Sequence, residues 1–305
     1  MKNIDKLINL YFYICEDYNT ELYLHCQRLS NNYQPKFTDE EVLTIYFYCL
    51  IVEKRYEHKD IYDFADNYLR SWFPNLGKSY ESFLTRLNKL NGVFVPLIFR
   101  ILRELKQTAD SELLYYAMQL INVVDSMPIV VAQRGRSYSA KVAPELCDRG
   151  YCASKKMTYY GLKLHVLGFA RQGRLPVPEW IGISPASNND LTVFKPIFEQ
   201  LFNRAIYADK IYKNQAFQEW LLINNNTEIL TPVKLKKGQK ELPLADKLFS
   251  KLVSKVRQPI EGFFAWIIEK TQIQKASKVR SENGLITHVF GRLAAAIMIM
   301  TFDFL

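Results

Sequence analysis

The sequence predicts an α/β chain: a mixed β-sheet with helices on its faces, preceded by an all-α region. Three observations carry this. Residues 1 to about 112 show helix caps and apolar residues at helical spacing. After about residue 115, short β-branched runs appear. From there the elements run three strands, helix, strand, helix, strand, helix, which is the order of a sheet covered by helices. With 305 residues and 49% hydrophobic content, the chain can bury a large core or divide in two. The expected division is a helical N-terminal domain over 1–112 and a second domain over 113–305.

In the first part, Thr38 and Glu41 form a capping box ahead of the apolar stretch Val42–Tyr48, which reads as a buried helix. A second helix is expected over Lys59–Arg70, then a turn at Pro74–Lys78. Ser79 caps the next helix, where Phe83, Leu87 and Leu90 share one face. Helices flanking a Gly-containing turn suit an ordinary bundle, or alternatively a helix-turn-helix-like DNA reader. In the second part, Leu120–Val124 is a strand ending on Asp125, Gly161–Val166 alternates with period two, and Trp180–Ile183 is a third strand. Asn188–Asp190 caps a helix carrying Leu191, Phe194, Phe198 and Leu201. Ala205–Ala208 is a fourth strand ending on Asp209, a helix passes through Phe217 and Leu221, and Glu228–Thr231 is a fifth strand. A lysine-rich stretch, 233–256, leads to a last helix expected to begin at Pro259.

The formal net charge of +9 favours a polyanionic partner. No single apolar run reads as long enough to span a bilayer, and the first residues acquire acids too early for a signal peptide. The five cysteines have irregular spacings without a CxxC pair, and the four histidines are scattered. Neither set forms a zinc pattern, and reduced cytoplasmic thiols are expected.

The acids sit at informative places. Asp125 and Asp209 end strands, and Glu261 follows Pro259 at the head of an apolar helix. Singly, each fits a bland role in a turn, a cap or a helix dipole. Together they fit phosphodiester cleavage, in which two divalent ions roughly 4 Å apart activate the attacking oxygen and stabilise the leaving one. Hard ions such as Mg²⁺ prefer carboxylate oxygens, here offered from a rigid frame.

NVVDSMPI (122–129), IYADKIY (206–212) and RQPIEGFFAWIIEKTQIQKASKVRS (257–281), with looser matches at YYGLKLHV and SPASNNDLTVF, carry a resemblance. The chain resembles the DDE transposases of bacterial insertion sequences, of the insertion sequence 4 / 982 type, whose catalytic domain is RNase H-like. The resemblance covers about residues 115–300, with the N-terminal helices as an expected companion domain. It implies Asp125, Asp209 and Glu261 as catalytic, metal-binding residues, with Mg²⁺ as cofactor and Mn²⁺ as its substitute. Arg257 matches the arginine four residues before the glutamate. The sequence departs from the group at Ser254 and Ile268, where many members carry tyrosine and lysine.

The implied partner is double-stranded DNA, both transposon ends and target, bound by a homodimer or higher assembly in the bacterial cytoplasm at the nucleoid, with no membrane. Arg134, Arg136, Lys163, Lys210, Arg257, Lys270, Lys275, Lys278 and Arg280 are the expected DNA contacts. Surface lysines also serve solvation alone, and Lys163 fits a cross-strand role equally well. Two alternatives stay open: an RNase H-like structure-selective nuclease, and a domesticated DNA-binding protein without catalysis.

Overall fold

Thr38 caps its helix as the sequence predicts: its hydroxyl accepts from the Glu41 N–H at 3.3 Å, and the Glu41 carboxylate accepts from the Thr38 N–H at 2.6 Å. The computed structural model describes residues 3–26, 35–108, 120–153, 155–171, 173–235 and 238–302. Its helices are α1 (Ile4–Thr20), α2 (Asp39–Ile51), α3 (His58–Phe64), α4 (Tyr80–Lys89), α5 (Phe94–Thr108), α6 (Asp190–Phe198), α7 (Gln215–Asn225), α8 (Leu244–Thr271), α9 (Glu282–Ile286) and α10 (Arg292–Thr301). Its strands are β1 (Ile121–Gln133), β2 (Asp148–Cys152), β3 (Met157–Phe169), β4 (Val177–Pro185), β5 (Ala205–Tyr207) and β6 (Glu228–Leu230). The chain divides into two compact units, Met1–Leu105 with Ile267–Leu305, and Lys106–Trp266. The expected boundary at 112/113 lies outside the described residues, and residues 267–305 group with the N-terminal helices.

In the first unit, α2 is buried on every side from Val42 to Ile51, as expected of a helix without a polar face. α10 is the same from Arg292 to Met298. Through a π-turn at Thr287–Gly291, α9 and α10 join into an apolar helical stretch, Glu282–Thr301, of bilayer-spanning length. The sequence reading missed this length because His288 and Arg292 interrupt the apolar run. The window is 72% buried within the protein, which is how a core helix behaves. Gly291 permits the close approach of Tyr46, since a Cβ there would stand 2.7 Å from its hydroxyl. The second expected helix is present over residues 58–69, α3 passing directly into a π-turn at Ala65–Leu69. The connection from there to Ser79 exceeds the three or four residues of a helix-turn-helix turn.

This unit shields two imidazoles from water, His288 buried and His58 partly buried. His288 pairs with the Ile273 carbonyl at 2.8 Å, and burial holds it well below its ordinary value. His58 is pushed down to about 4 by burial and the Arg292 charge, and its Nε2 has no partner. A folded pKa below the unfolded value means that the unfolded chain takes up the proton first. Stability from neutral His58 is therefore complete above pH ~6.5 and is lost as pH falls toward about 4. Replacing it, as His58→Gln, should remove roughly 3 kcal/mol of acid sensitivity across that window. Urea midpoints of wild type and variant, compared at pH values across the window, check this. Parallel pH profiles would refute it.

The second unit is built on β1. β3 pairs antiparallel to it and β5 parallel, in the order β2-β3-β1-β5-β6, with β4 also on β3. β3 is long enough to pair β2 through Met157–Gly161 and β4 through Leu162–Phe169. Gly161 is required where β3 meets β1, because a Cβ would lie 2.1 Å from the Ile129 carbonyl. One face of the sheet carries a core of Val124, Leu167, Ile206 and Ile229 packed against Phe194 and Phe198 of α6 and Leu221 of α7. The architecture is a mixed sheet flanked by helices with a helical N-terminal region, as an RNase H-like domain requires.

Three details differ from the expectation. β1 does not end at Asp125 but continues to Gln133, holding the acid within the strand. β2 was not expected, since Asp148 and Gly150 are poor strand formers. α8 begins at Leu244, so Pro259 lies inside the helix and Glu261 is not in its first turn.

Candidate active site

Parallel pairing of β1 with β5 sets Val123 opposite Tyr207. Asp125 and Asp209 each lie two residues farther along their own chain, so the same end of the sheet carries both acids. Alternation along β1 separates the faces: Val124 enters the core beneath α6, and Ser126 donates to Asp190 of α6 at 2.9 Å. Asp125 points the other way, where Arg257 of α8 donates to its Oδ2 at 2.7 Å. The other guanidinium nitrogen of Arg257 donates to Glu261, one turn later on α8. Asp209 opens the short turn Lys210–Tyr212 and accepts the Tyr212 N–H on its backbone carbonyl at 3.0 Å.

The electrostatics follow from this packing. Burial pushes the Asp125 carboxyl up to about 6, although Arg257 and the Ser126 N–H pull it down. The neighbouring charges of Asp209 and Glu261 add to the rise, so the three acids share one field. Burial works against the Arg257 charge, but Asp125 and Glu261 outweigh it and hold the guanidinium above its ordinary value. Tyr212, fully buried beside these acids, has a hydroxyl without a partner among the described residues.

Among the described residues, no three His, Cys, Asp or Glu side chains stand close enough together to hold a metal ion. Arg257 is the cation between Asp125 and Glu261 instead. The donors nonetheless suit a hard divalent ion: all are carboxylate oxygens, and among the described residues the positive charge paired with Asp125 and Glu261 is the Arg257 side chain.

The expected DNA contacts fall in several places. Arg134 and Arg136 are exposed on the turn after β1, and Lys210 is exposed beside Asp209. Lys163 is engaged: it donates to Asp190 and to the Asn188 carbonyl, each at 2.8 Å. Lys270, Lys275, Lys278 and Arg280 belong to the first unit, where Lys270 pairs with Glu269 and Lys278 with Glu57. Sequence reading saw Asp190 only as part of a helix cap. It is 7% exposed and ties Ser126, next to Asp125, to Lys163. An acid one residue past two capping asparagines was the available signal.

A family model described as the transposase DDE domain matches residues 117–298, more than half of the chain. No curated protein and no solved structure gives a significant match.

Proposed function

Because the chain belongs to the transposase DDE domain family, we propose that it cuts the ends of a transposable DNA segment and joins them to target DNA. Transposases of this family act on DNA and generally use divalent metals. In this reading Asp125, Asp209 and Glu261 hold Mg²⁺, with Mn²⁺ as substitute. When bound, such ions acidify water and neutralise charge on phosphate oxygens.

The chain's own residues do the positioning. The pairing of β1 with β5 carries Asp125 and Asp209 toward the same end of the sheet, and α8 carries Arg257 and Glu261 one turn apart. Arg257 keeps Asp125 and Glu261 oriented toward a common point. The observation that carries the proposal is this one arginine shared between a strand acid and a helix acid, in the electrostatic field of a third. Arg134, Arg136 and Lys210 supply exposed positive charge for phosphates in the same unit. Two ends must be joined, so a homodimer or larger assembly forms on DNA, in the cytoplasm at the nucleoid.

The test uses purified chain, Mg²⁺ and duplexes carrying the inverted repeats that flank the gene. Nicked ends and strand-transfer products are expected. Cleavage without joining would instead identify a structure-selective nuclease. Binding without cleavage would identify a DNA-binding protein that has left catalysis behind.

A further inference from the structure

Within the first unit lies a cleft of about 700 Å³ that the proposed chemistry does not use. Its walls come from three separate stretches: residues 53–60 ahead of and into α3, one face of α4, and residues 272–292. Seven Lys and Arg line it against three acids. Two of those acids are engaged, Glu57 by Lys278 at 3.0 Å and Glu53 by the Tyr48 hydroxyl at 3.0 Å. Lys54, Lys275 and Arg280 are exposed on its walls and make no ion pair among the described residues.

The buried part of the cleft is stronger support. Arg292 is 5% exposed, and no carboxylate pairs with it among the described residues. Two of its nitrogens donate to the carbonyls of Thr271, at 2.6 Å, and Tyr56, while Nε has no partner. Arg55 Nε and His58 Nε2 also line the cleft without partners. Glu57 acts on Arg292 only from a distance, and a buried charge without a direct ion-pair partner is costly, so a cleft floored by one favours an anion. Exposed lysines at its rim and a guanidinium below match a chain of phosphates better than a single carboxylate.

We propose that this cleft seats the phosphodiester backbone of DNA, with Lys54, Lys275 and Arg280 on the phosphates above Arg292. The proposal rests on the reading of the chain as a DNA-cutting transposase. Because the walls come from distant parts of the sequence, bound DNA clamps the segment after α8 to the N-terminal helices.

Fluorescence anisotropy of a labelled duplex with the full chain tests it, across a salt series. The double variant Lys54→Ala/Lys275→Ala should bind about tenfold more weakly at physiological salt, with the log–log salt slope reduced by about two. A charge-matched control, Lys89→Ala/Arg103→Ala, removes two exposed cations of the same unit that do not line the cleft. Equal losses in both variants, or none in the first, overturn the proposal. Inorganic phosphate and a nucleoside diphosphate form a further arm. If either raises the melting temperature of wild type but not of the cleft variant, while both bind duplex equally, the cleft takes free phosphate ligands and the proposal fails. Asp125→Asn is measured alongside. It loses cleavage if the catalytic reading holds and keeps duplex binding whatever the cleft does, so the two failures remain distinguishable.

Discussion

Asp209→Asn lowers DNA cleavage by at least about a thousandfold and leaves duplex binding unchanged. The size follows from what the carboxylate is asked to supply. Stabilising charge on a transferring phosphoryl group is worth several kcal/mol, and each ~1.4 kcal/mol is a factor of ten. Asparagine keeps the shape of the side chain and removes only the negative charge. The local fold does not depend on that charge, because the Asp209 side chain caps nothing; its backbone carbonyl holds the turn. Single-turnover cleavage and anisotropy on the same preparation separate chemistry from binding. Cleavage within tenfold of wild type would remove Asp209 from the catalytic set.

Arg257→Ala destabilises the second unit by about 3 kcal/mol. Arg257 and Asp125 are 14% and 22% exposed at their side chains, so the pair is mostly screened from water. Removing one partner of such a pair leaves a buried charge without compensation. The bond to Glu261 adds less, since that carboxylate is half exposed. Arg257→Lys recovers only part of the loss, because an ammonium lacks the planar fork that reaches two carboxylates at once. In the double variant Arg257→Ala/Asp125→Asn, the loss is smaller than the sum of the single losses, as coupled partners require. Denaturant unfolding of the four proteins measures these terms. Strict additivity would show that the two residues do not interact.

Much of this fold is legible in the amino-acid sequence. The caps at Thr38, Ser79 and Asn189 were local signals with local outcomes, and all three make their expected bonds. The strands around Leu164, Ile183 and Ile206 were legible because alternation or β-branching survives in them. The extension of β1 was not, because Asp125-Ser126-Met127-Pro128 reads as a turn. β5 covers only Ile121–Val123 of β1, so among the described residues the rest of that β1 edge has no strand beside it, and a proline is tolerated there. β2 is held by its pairing to β3 and by Gly150, whose lack of a Cβ admits Ala186; neither is a local property. Pro259 misled in the other direction. It suits a helix start, yet Val253, Ile260, Phe263, Phe264 and Ile267 form a buried stripe that passes straight through it. Packing of that stripe outweighs the single backbone bond that proline removes.

For the candidate site, strand order and residue type pointed to three acids in one neighbourhood. What could not be read was how an arginine is divided between two of them, since that depends on the meeting of β1 with a helix more than a hundred residues later.

Arg257 also bears on how the newly made chain matures. Three acids in one neighbourhood repel one another, and a polypeptide leaving the ribosome has no assurance of meeting an ion at that moment. A guanidinium carried four residues before Glu261 travels with the chain and arrives together with α8. Biogenesis of the domain is thereby freed from the supply of any cofactor. On the proposed reading, the domain folds with Asp125 and Glu261 already offset by a charge of its own chain.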